Sequence, residues 1–157
     1  MLILAALAAS LTAADHDPFT GTWRMNVHKS KYPPGTCPRS MIIRMEMVNN
    51  EVWYRSETSQ ADGRKTRASY RADYNGTVAI VAAANGLMTP VSLQRVDERT
   101  VLASYRRGLQ VIATSRRVVS KNGRIMTITT VAAGRNGTVT SIGVYDRVAA
   151  AAAATPD

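Results

Sequence analysis

Asn-Gly dipeptides recur along this chain, and each lies between short segments in which apolar and polar residues alternate. Both residues accept the positive backbone φ angles of tight turns, so Asn-Gly between alternating segments is the strongest short-range signal of a β-hairpin. Asn49-Asn50 and Asp62-Gly63 are two further turn signals, since Asn, Asp and Gly tolerate such backbones. These repeated turns favour antiparallel strands joined by hairpins. The Asn-Gly dipeptides stand at residues 75–76, 85–86, 122–123 and 136–137.

The segments between the turns alternate with the period of a half-buried strand. In residues 65–74, small and aromatic side chains occupy every second position, while Arg67, Arg71 and Asp73 share the other face. With an opening strand around residues 20–26, about ten strands follow one another at intervals of roughly 8–12 residues, a spacing typical of sandwiches and barrels. The chain of 157 residues suits one domain. We therefore predict an all-β fold, a single closed antiparallel up-and-down β-barrel of about eight to ten strands.

The two ends of the chain differ from this pattern. Residues 2–11 are apolar, and the small residues Thr12, Ala13 and Ala14 follow them, as at a signal-peptide cleavage site. The apolar run is shorter than the ~20 residues of a membrane-spanning helix. We predict a signal peptide at 1–14, a barrel domain at 15–148 and a disordered Ala-rich tail at 149–157. The mature protein is then exported, to the periplasm or the extracellular space.

Charge and rare residues limit the classes of function. The net charge is +9, yet no run of five or six like charges resembles a nucleic-acid-binding tail, and export argues against nucleic acid as a partner. Cys37 is the single cysteine, so no internal disulfide can form. Neither His16 nor His28 lies in mid-strand, where a haem ligand would be expected, and no metal-ligand cluster is apparent. We expect no cofactor, no metal and a monomer.

Aromatic and small side chains fall on the predicted inner face of the barrel. A dry core would contain more Leu, Ile and Phe, whereas small residues with tyrosines are typical of a partly polar cavity. Arg95 and Arg117 share the alternation of Leu93 and Val119, which points inward, and a buried arginine needs a partner or an anionic ligand. The tyrosines predicted to line the cavity are Tyr70, Tyr74, Tyr105 and Tyr145.

The opening strand resembles a known family. Gly21-Thr22-Trp23 is similar to the Gly-x-Trp signature of the calycin superfamily, the lipocalins and fatty-acid-binding proteins. The resemblance implies that Trp23 plugs one end of the barrel and that Arg147, near the end of the last strand, packs across its indole. The chain is also similar to small exported bacterial lipocalin-like proteins, in Lys29-Ser30-Lys31, in the segment 92–97 and in the segment 117–129.

Two features depart from the fatty-acid-binding proteins. Those proteins carry a helix-turn-helix between their first two strands, but the prolines and glycine of residues 27–38 argue against two helices here. They also bind the fatty-acid carboxylate through an Arg-x-Tyr on the last strand. The matching positions here are Gly143 and Tyr145, so Arg95 or Arg117 would have to supply the positive charge.

Three functions are compatible with these features. The first is binding of a small, mainly apolar or amphipathic molecule with a polar or anionic head, which Arg95 or Arg117 orients. The second is a basic outer surface for envelope polyanions or anionic lipid, although acidic residues share its face. The third is a barrel enzyme of unknown chemistry, for which no catalytic set of residues is apparent. The outer surface would be formed by Arg44, Arg55, Arg67 and Arg71 with Trp53.

Overall fold

A computed structural model describes residues 17–83 and 88–149. The predicted leader, the predicted Asn85-Gly86 turn and the predicted tail beyond residue 149 lie outside the described residues. Nearly all of the described chain is β-strand, with one short 3₁₀ helix at Val27–Lys29. The strands are β1 (Gly21–Met25), β2 (Ser40–Val48), β3 (Glu51–Ser59), β4 (Lys65–Ala72), β5 (Asn75–Ala83), β6 (Met88–Asp97), β7 (Thr100–Arg107), β8 (Gln110–Val119), β9 (Ile125–Gly134) and β10 (Gly137–Val148).

The ten strands form one closed barrel in which every strand pairs antiparallel with its neighbour in sequence. β1 completes the ring by pairing with both β2 and β10, for example Trp23 with Ile43 and with Arg147. The predicted fold class is therefore confirmed, at the upper end of the predicted strand number. Within the described ranges, no helix has the length and apolarity needed to cross a membrane.

Most of the predicted turns fall where the sequence places them. Asn49 and Asn50 both have positive φ, 50° and 69°, in the turn between β2 and β3. The Asn75-Gly76 prediction was wrong in detail, because these residues begin β5 and the chain reverses before them. Gly76 keeps its positive φ of 88° there, and the register between β5 and β6 shifts between Asn75 and Val78. The signal thus marked a β-bulge rather than the turn itself.

One joint of the ring has a gap in its ladder. Among the described residues, β4 and β5 pair through Ala68 with Ala83 and Ser69 with Ala82, and β4 does not pair with β5 from Tyr70 to Ala72. By contrast, β3 and β4 pair over eight consecutive positions from Val52 to Ser59. The barrel is therefore continuous around its circumference, with unpaired backbone between β4 and β5 beside Tyr70–Ala72 in the described part of the chain.

The end of the barrel next to residue 17 is sealed by aromatic packing. Phe19 and Trp23 are almost completely buried there, and the indole Nε1 donates to the carbonyl of Phe19 at 2.8 Å. The guanidinium of Arg147 lies over the indole, 4.1 Å from the ring centroid. The opposite end carries the 26–39 connection and the tips of the β7–β8 and β9–β10 hairpins. We call this opposite end the mouth.

Arg147 also ties the incoming chain to the last strand. Its Nη1 and Nη2 donate to the carbonyls of Thr20 and Pro18 at 2.5 and 2.6 Å, and its Nε donates to the carbonyl of Gly123 at 2.5 Å. Each bond has a charged donor, which makes it stronger than a neutral hydrogen bond. The arrangement of Gly21, Trp23 and Arg147 therefore joins the first strand to the last.

Gly21 is expected to be irreplaceable because Arg147 occupies the space of a side chain. A Cβ added at Gly21 would lie 2.6 Å from Nη1 of Arg147, and φ is +129°. Gly137 has a nearly equal φ of +125° with nothing within 4 Å of an added Cβ. Gly21→Ala should lower the free energy of unfolding by about 2–4 kcal/mol, because it adds a steric clash to the backbone strain. Gly137→Ala should lower it by about 1–2 kcal/mol, which is the cost of the backbone strain alone. Denaturant unfolding measures both, and equal losses would show that the Arg147 contact is unimportant.

Candidate functional site

The middle of the barrel contains a buried arginine. Arg117 lies on β8 between Ser115 and Val119, which point inward with it, and its side chain is only 3% exposed. On the neighbouring strands it stands opposite Val101 and Ile128. The inward alternation of β8, which predicted this orientation from the sequence, thus places a cationic group among core residues.

Two tyrosines hold the guanidinium of Arg117 in place. Nη1 donates to the hydroxyl oxygen of Tyr70 at 2.7 Å, and Nη2 donates to that of Tyr105 at 2.9 Å. These bonds connect β8 to β4 and β7, on different sides of the interior. Because each hydroxyl accepts from Arg117, its own proton remains available for another acceptor.

No carboxylate neutralises Arg117 within the described part of the chain; its hydrogen-bond partners there are tyrosine hydroxyls. Burial lowers the pKa of its guanidinium, but interaction with Tyr70, Tyr105 and Tyr54 outweighs burial and leaves the pKa raised. The group is therefore positively charged at neutral pH. An uncompensated buried charge costs several kcal/mol of solvation, which neutral hydroxyls recover only in part. The interior thus holds a positive charge with no carboxylate partner among the described residues.

Unused hydrogen-bonding groups lie beside this charge. The Nε of Arg117 and the Oγ of Ser115, two residues earlier on the same inward face, are buried with no hydrogen-bond partner among the described residues. Buried polar groups in folded proteins are normally satisfied, so such exceptions need an explanation. An acceptor-rich group bound at Arg117 would accept from both donors.

A pair of stacked tyrosines forms one wall of the site. The rings of Tyr54 and Tyr70 lie 4.6 Å apart and almost parallel, at 7°. The guanidinium carbon of Arg117 is 5.3 Å from the Tyr54 ring centroid and 5.9 Å from that of Tyr70. The aromatic faces therefore add a weak cation–π attraction that orients the arginine without neutralising it. The sequence pattern did not identify Tyr54 as a site residue.

Arg95 and Tyr74, predicted to line the same cavity, lie instead at the sealed end. Arg95 forms an ion pair with Asp17 and donates to the carbonyl of Glu98 at 2.8 Å. Its guanidinium carbon lies 4.2 Å from the centroid of the Tyr74 ring. Because Asp17 supplies the counter-charge from before β1, Arg95 needs no anionic ligand. The structure therefore does not bring these two residues to Arg117.

The hydroxyl of Tyr145 has hydrogen-bond partners other than the arginine. Its hydroxyl donates to the sulfur of Met41 at 3.2 Å, and the hydroxyl of Tyr32 is a further partner. Its ring fills the space beside Gly143, where an added Cβ would lie 2.8 Å from Cε2 of Tyr145. The position that carries arginine in fatty-acid-binding proteins is thus occupied here by the neighbouring tyrosine ring. Tyr32, in the connection after β1, had no signal in the sequence because it belongs to no alternating segment.

The outer face of β2, β3 and β4 offers little free charge. Arg55 pairs with Glu46 at 2.9 Å, and Arg44 lies 3.5 Å from Glu57. Arg71 lies over the indole of Trp53, 3.6 Å from its centroid. Carboxylates therefore pair two of the four arginines of this surface, Arg71 stacks on Trp53, and Arg67 is exposed. Among the described residues, no group of three or more His, Cys, Asp or Glu could hold a metal ion.

Comparison with known proteins identifies the fold. No protein-family model and no curated protein sequence matches this chain. Among solved structures, the barrel is similar to the zebrafish ileal bile acid-binding protein in complex with cholic acid, with a TM-score of 0.58 and 10% sequence identity. The match covers 83% of this chain and 99% of that one. The calycin-like barrel that Gly21 and Trp23 indicate is therefore confirmed as a fold.

The buried tyrosines predict an alkaline limit to stability. Burial raises the pKa of Tyr54, Tyr70, Tyr74 and Tyr145 above the ordinary value of 10.0. In the unfolded chain these groups ionise near pH 10, so their contribution to stability is complete below that pH and is lost as the pH rises toward their folded values. Tyrosinate absorbance should therefore appear together with loss of the β circular dichroism signal. A denatured control should ionise near pH 10. Ionisation of the buried tyrosines at that same pH while the barrel is still intact would contradict this prediction.

Proposed function

We propose that this protein binds a small amphipathic molecule inside the barrel, with an anionic head group at Arg117. The observation that carries the proposal is a buried, charged guanidinium with neutral partners and an unused Nε donor. The planar guanidinium matches the two oxygens of a carboxylate, which can accept two parallel hydrogen bonds. We expect a carboxylate head, with the hydroxyls of Tyr70 and Tyr105 as additional donors.

The apolar part of the molecule is expected to extend toward the mouth. The sealed end is filled by large buried side chains such as Trp23, Ile43 and Met45. On the mouth side of the arginine, the inward positions of β8 and β9 carry the small residues Ala113 and Ala132, which stand opposite each other. The similar zebrafish protein was solved with cholic acid, an amphipathic acid, and this supports the class of ligand proposed.

Decanoate and decanol test the proposal, since they share an apolar chain and differ in charge. Calorimetric titration should show decanoate binding about 10–100 times more tightly than decanol, the range expected for one charge-assisted hydrogen-bond pair. Arg117→Met should remove this preference and leave decanol binding nearly unchanged. Arg116→Met is the matched control, because Arg116 is adjacent on β8 and exposed. Equal affinities for both probes in the wild-type protein would refute the proposal.

The Arg117→Met protein is expected to remain folded, so that loss of binding can be interpreted. Methionine keeps much of the side-chain volume and removes a buried charge that has no carboxylate partner among the described residues. Replacing buried charges by apolar groups is often neutral or stabilising. We expect its free energy of unfolding to stay within about 1 kcal/mol of the wild-type value.

The salt dependence of decanoate binding to the wild-type protein should be weak, unlike that of a polyanion bound to surface arginines.

We propose in addition that the protein is exported, on the basis of the apolar segment at 2–11 and the small residues after it. Expression of the full chain in a bacterium, followed by mass spectrometry of the purified product, tests this. A mature protein beginning at Asp15 is the expected result. Recovery of the uncleaved chain from the cytoplasm would contradict it.

A further inference from the structure

The acidic residues of this protein are unevenly distributed around the barrel. From residue 99 to residue 145 the sequence contains seven arginines and one lysine but no Asp or Glu. This segment forms β7, β8, β9 and most of β10. Nearly half of the barrel wall therefore carries charge of one sign. This half lies outside the surface of β2, β3 and β4, where glutamates pair with Arg44 and Arg55.

An apolar lip lies on this half of the barrel, at the mouth. Leu109 forms the tip of the β7–β8 hairpin and is 97% exposed. Gly108, with φ of 59°, provides the positive backbone angle of the turn, so the turn does not require a leucine after it. Val111 and Val139 lie on the inward alternation of β8 and β10, but at the mouth each is 42% exposed. We call Leu109, Val111 and Val139 the mouth lip.

Arginines flank the mouth lip on both hairpins. Arg106 and Arg107 precede Leu109, and Arg106 donates to the Leu109 carbonyl at 3.3 Å. Arg135 lies in the turn between β9 and β10 and is exposed. Within the described part of the chain, none of the three is within 4.0 Å of a carboxylate. An exposed apolar tip flanked by the exposed Arg107 and Arg135 and the half-buried Arg106 is the pattern of a surface that enters the interface of an anionic membrane.

We propose that the mouth lip docks on an anionic lipid bilayer. The arginines contact lipid phosphates, and Leu109 inserts between the head groups, with Val111 and Val139 behind it. A second copy of the chain is a poor occupant, because its own arginines would face those of the first. A hydrated polyanion would bind the arginines but would leave Leu109 in water. The proposal does not depend on the ligand of Arg117, although docking would place the mouth against the membrane.

Sedimentation with lipid vesicles tests the proposal. Vesicles of phosphatidylcholine with about 30% phosphatidylglycerol should bind the protein at least tenfold more tightly than phosphatidylcholine alone. About 1 M salt, where the Debye length falls to about 3 Å, should weaken binding strongly. Leu109→Ser should weaken binding by about fivefold, whereas Leu102→Ser should not, since Leu102 is exposed on the outer face of β7 away from the tip.

Two double charge reversals distinguish vesicle binding by the arginines at the mouth from attraction by the net charge of the protein. The double variant R107E/R135E reverses two arginines at the mouth, and K121E/R124E makes the same change of charge at the sealed end. Loss of vesicle binding in R107E/R135E alone, by about tenfold or more, supports the proposal. Equal loss in both variants would mean attraction by net charge and would overturn it. Absence of vesicle binding would also overturn the proposal, and so would self-association of the protein that L109S abolishes.

Normal vesicle binding by Arg117→Met would show that the membrane surface and the interior site are independent. Failure of decanoate binding would then leave the docking proposal intact. Conversely, R107E/R135E should still bind decanoate in the absence of lipid. The two proposals can therefore fail separately.

Discussion

The guanidinium of Arg147 holds three backbone carbonyls and an indole together at the point where the chain closes into a ring. β1 has only five residues, so its pairing with β10 is short. A closed barrel has no free strand edge, and that advantage exists only while the first and last strands remain paired. The burial of Arg117 depends on this closure, because an open sheet would expose its guanidinium to water.

Three arginines with similar sequence surroundings have different roles because their partners differ. Arg147 is saturated by carbonyls and an aromatic face, and it acts as a structural residue. Arg95 is balanced by Asp17 at the sealed end. Arg117 has neutral hydroxyl partners and retains an unused donor. The partners of each guanidinium, rather than its depth of burial alone, therefore distinguish the three arginines.

Local patterns predicted the fold well, because turns and alternation are properties of neighbouring residues. The orientation of Arg117 followed from the alternation of β8, and the position of Trp23 followed from the Gly-x-Trp resemblance. The partner of Arg95 could not be predicted, since Asp17 lies 78 residues away and outside every strand. Tyr32 was missed for the same reason. The Asn75-Gly76 turn was misplaced because a bulge and a turn use the same left-handed glycine.

The gap in the β4–β5 ladder makes the barrel wall mechanically uneven. Where neighbouring strands pair continuously, widening the ring would break backbone hydrogen bonds, each of which is costly to lose without water in its place. Among the described residues, β4 and β5 pair at Ala68 and Ser69 but not from Tyr70 to Ala72. Tyr70, in this gap, carries one of the hydroxyls that hold Arg117. Thermal breathing of the wall should therefore be larger along this line and change the width of the interior next to Arg117.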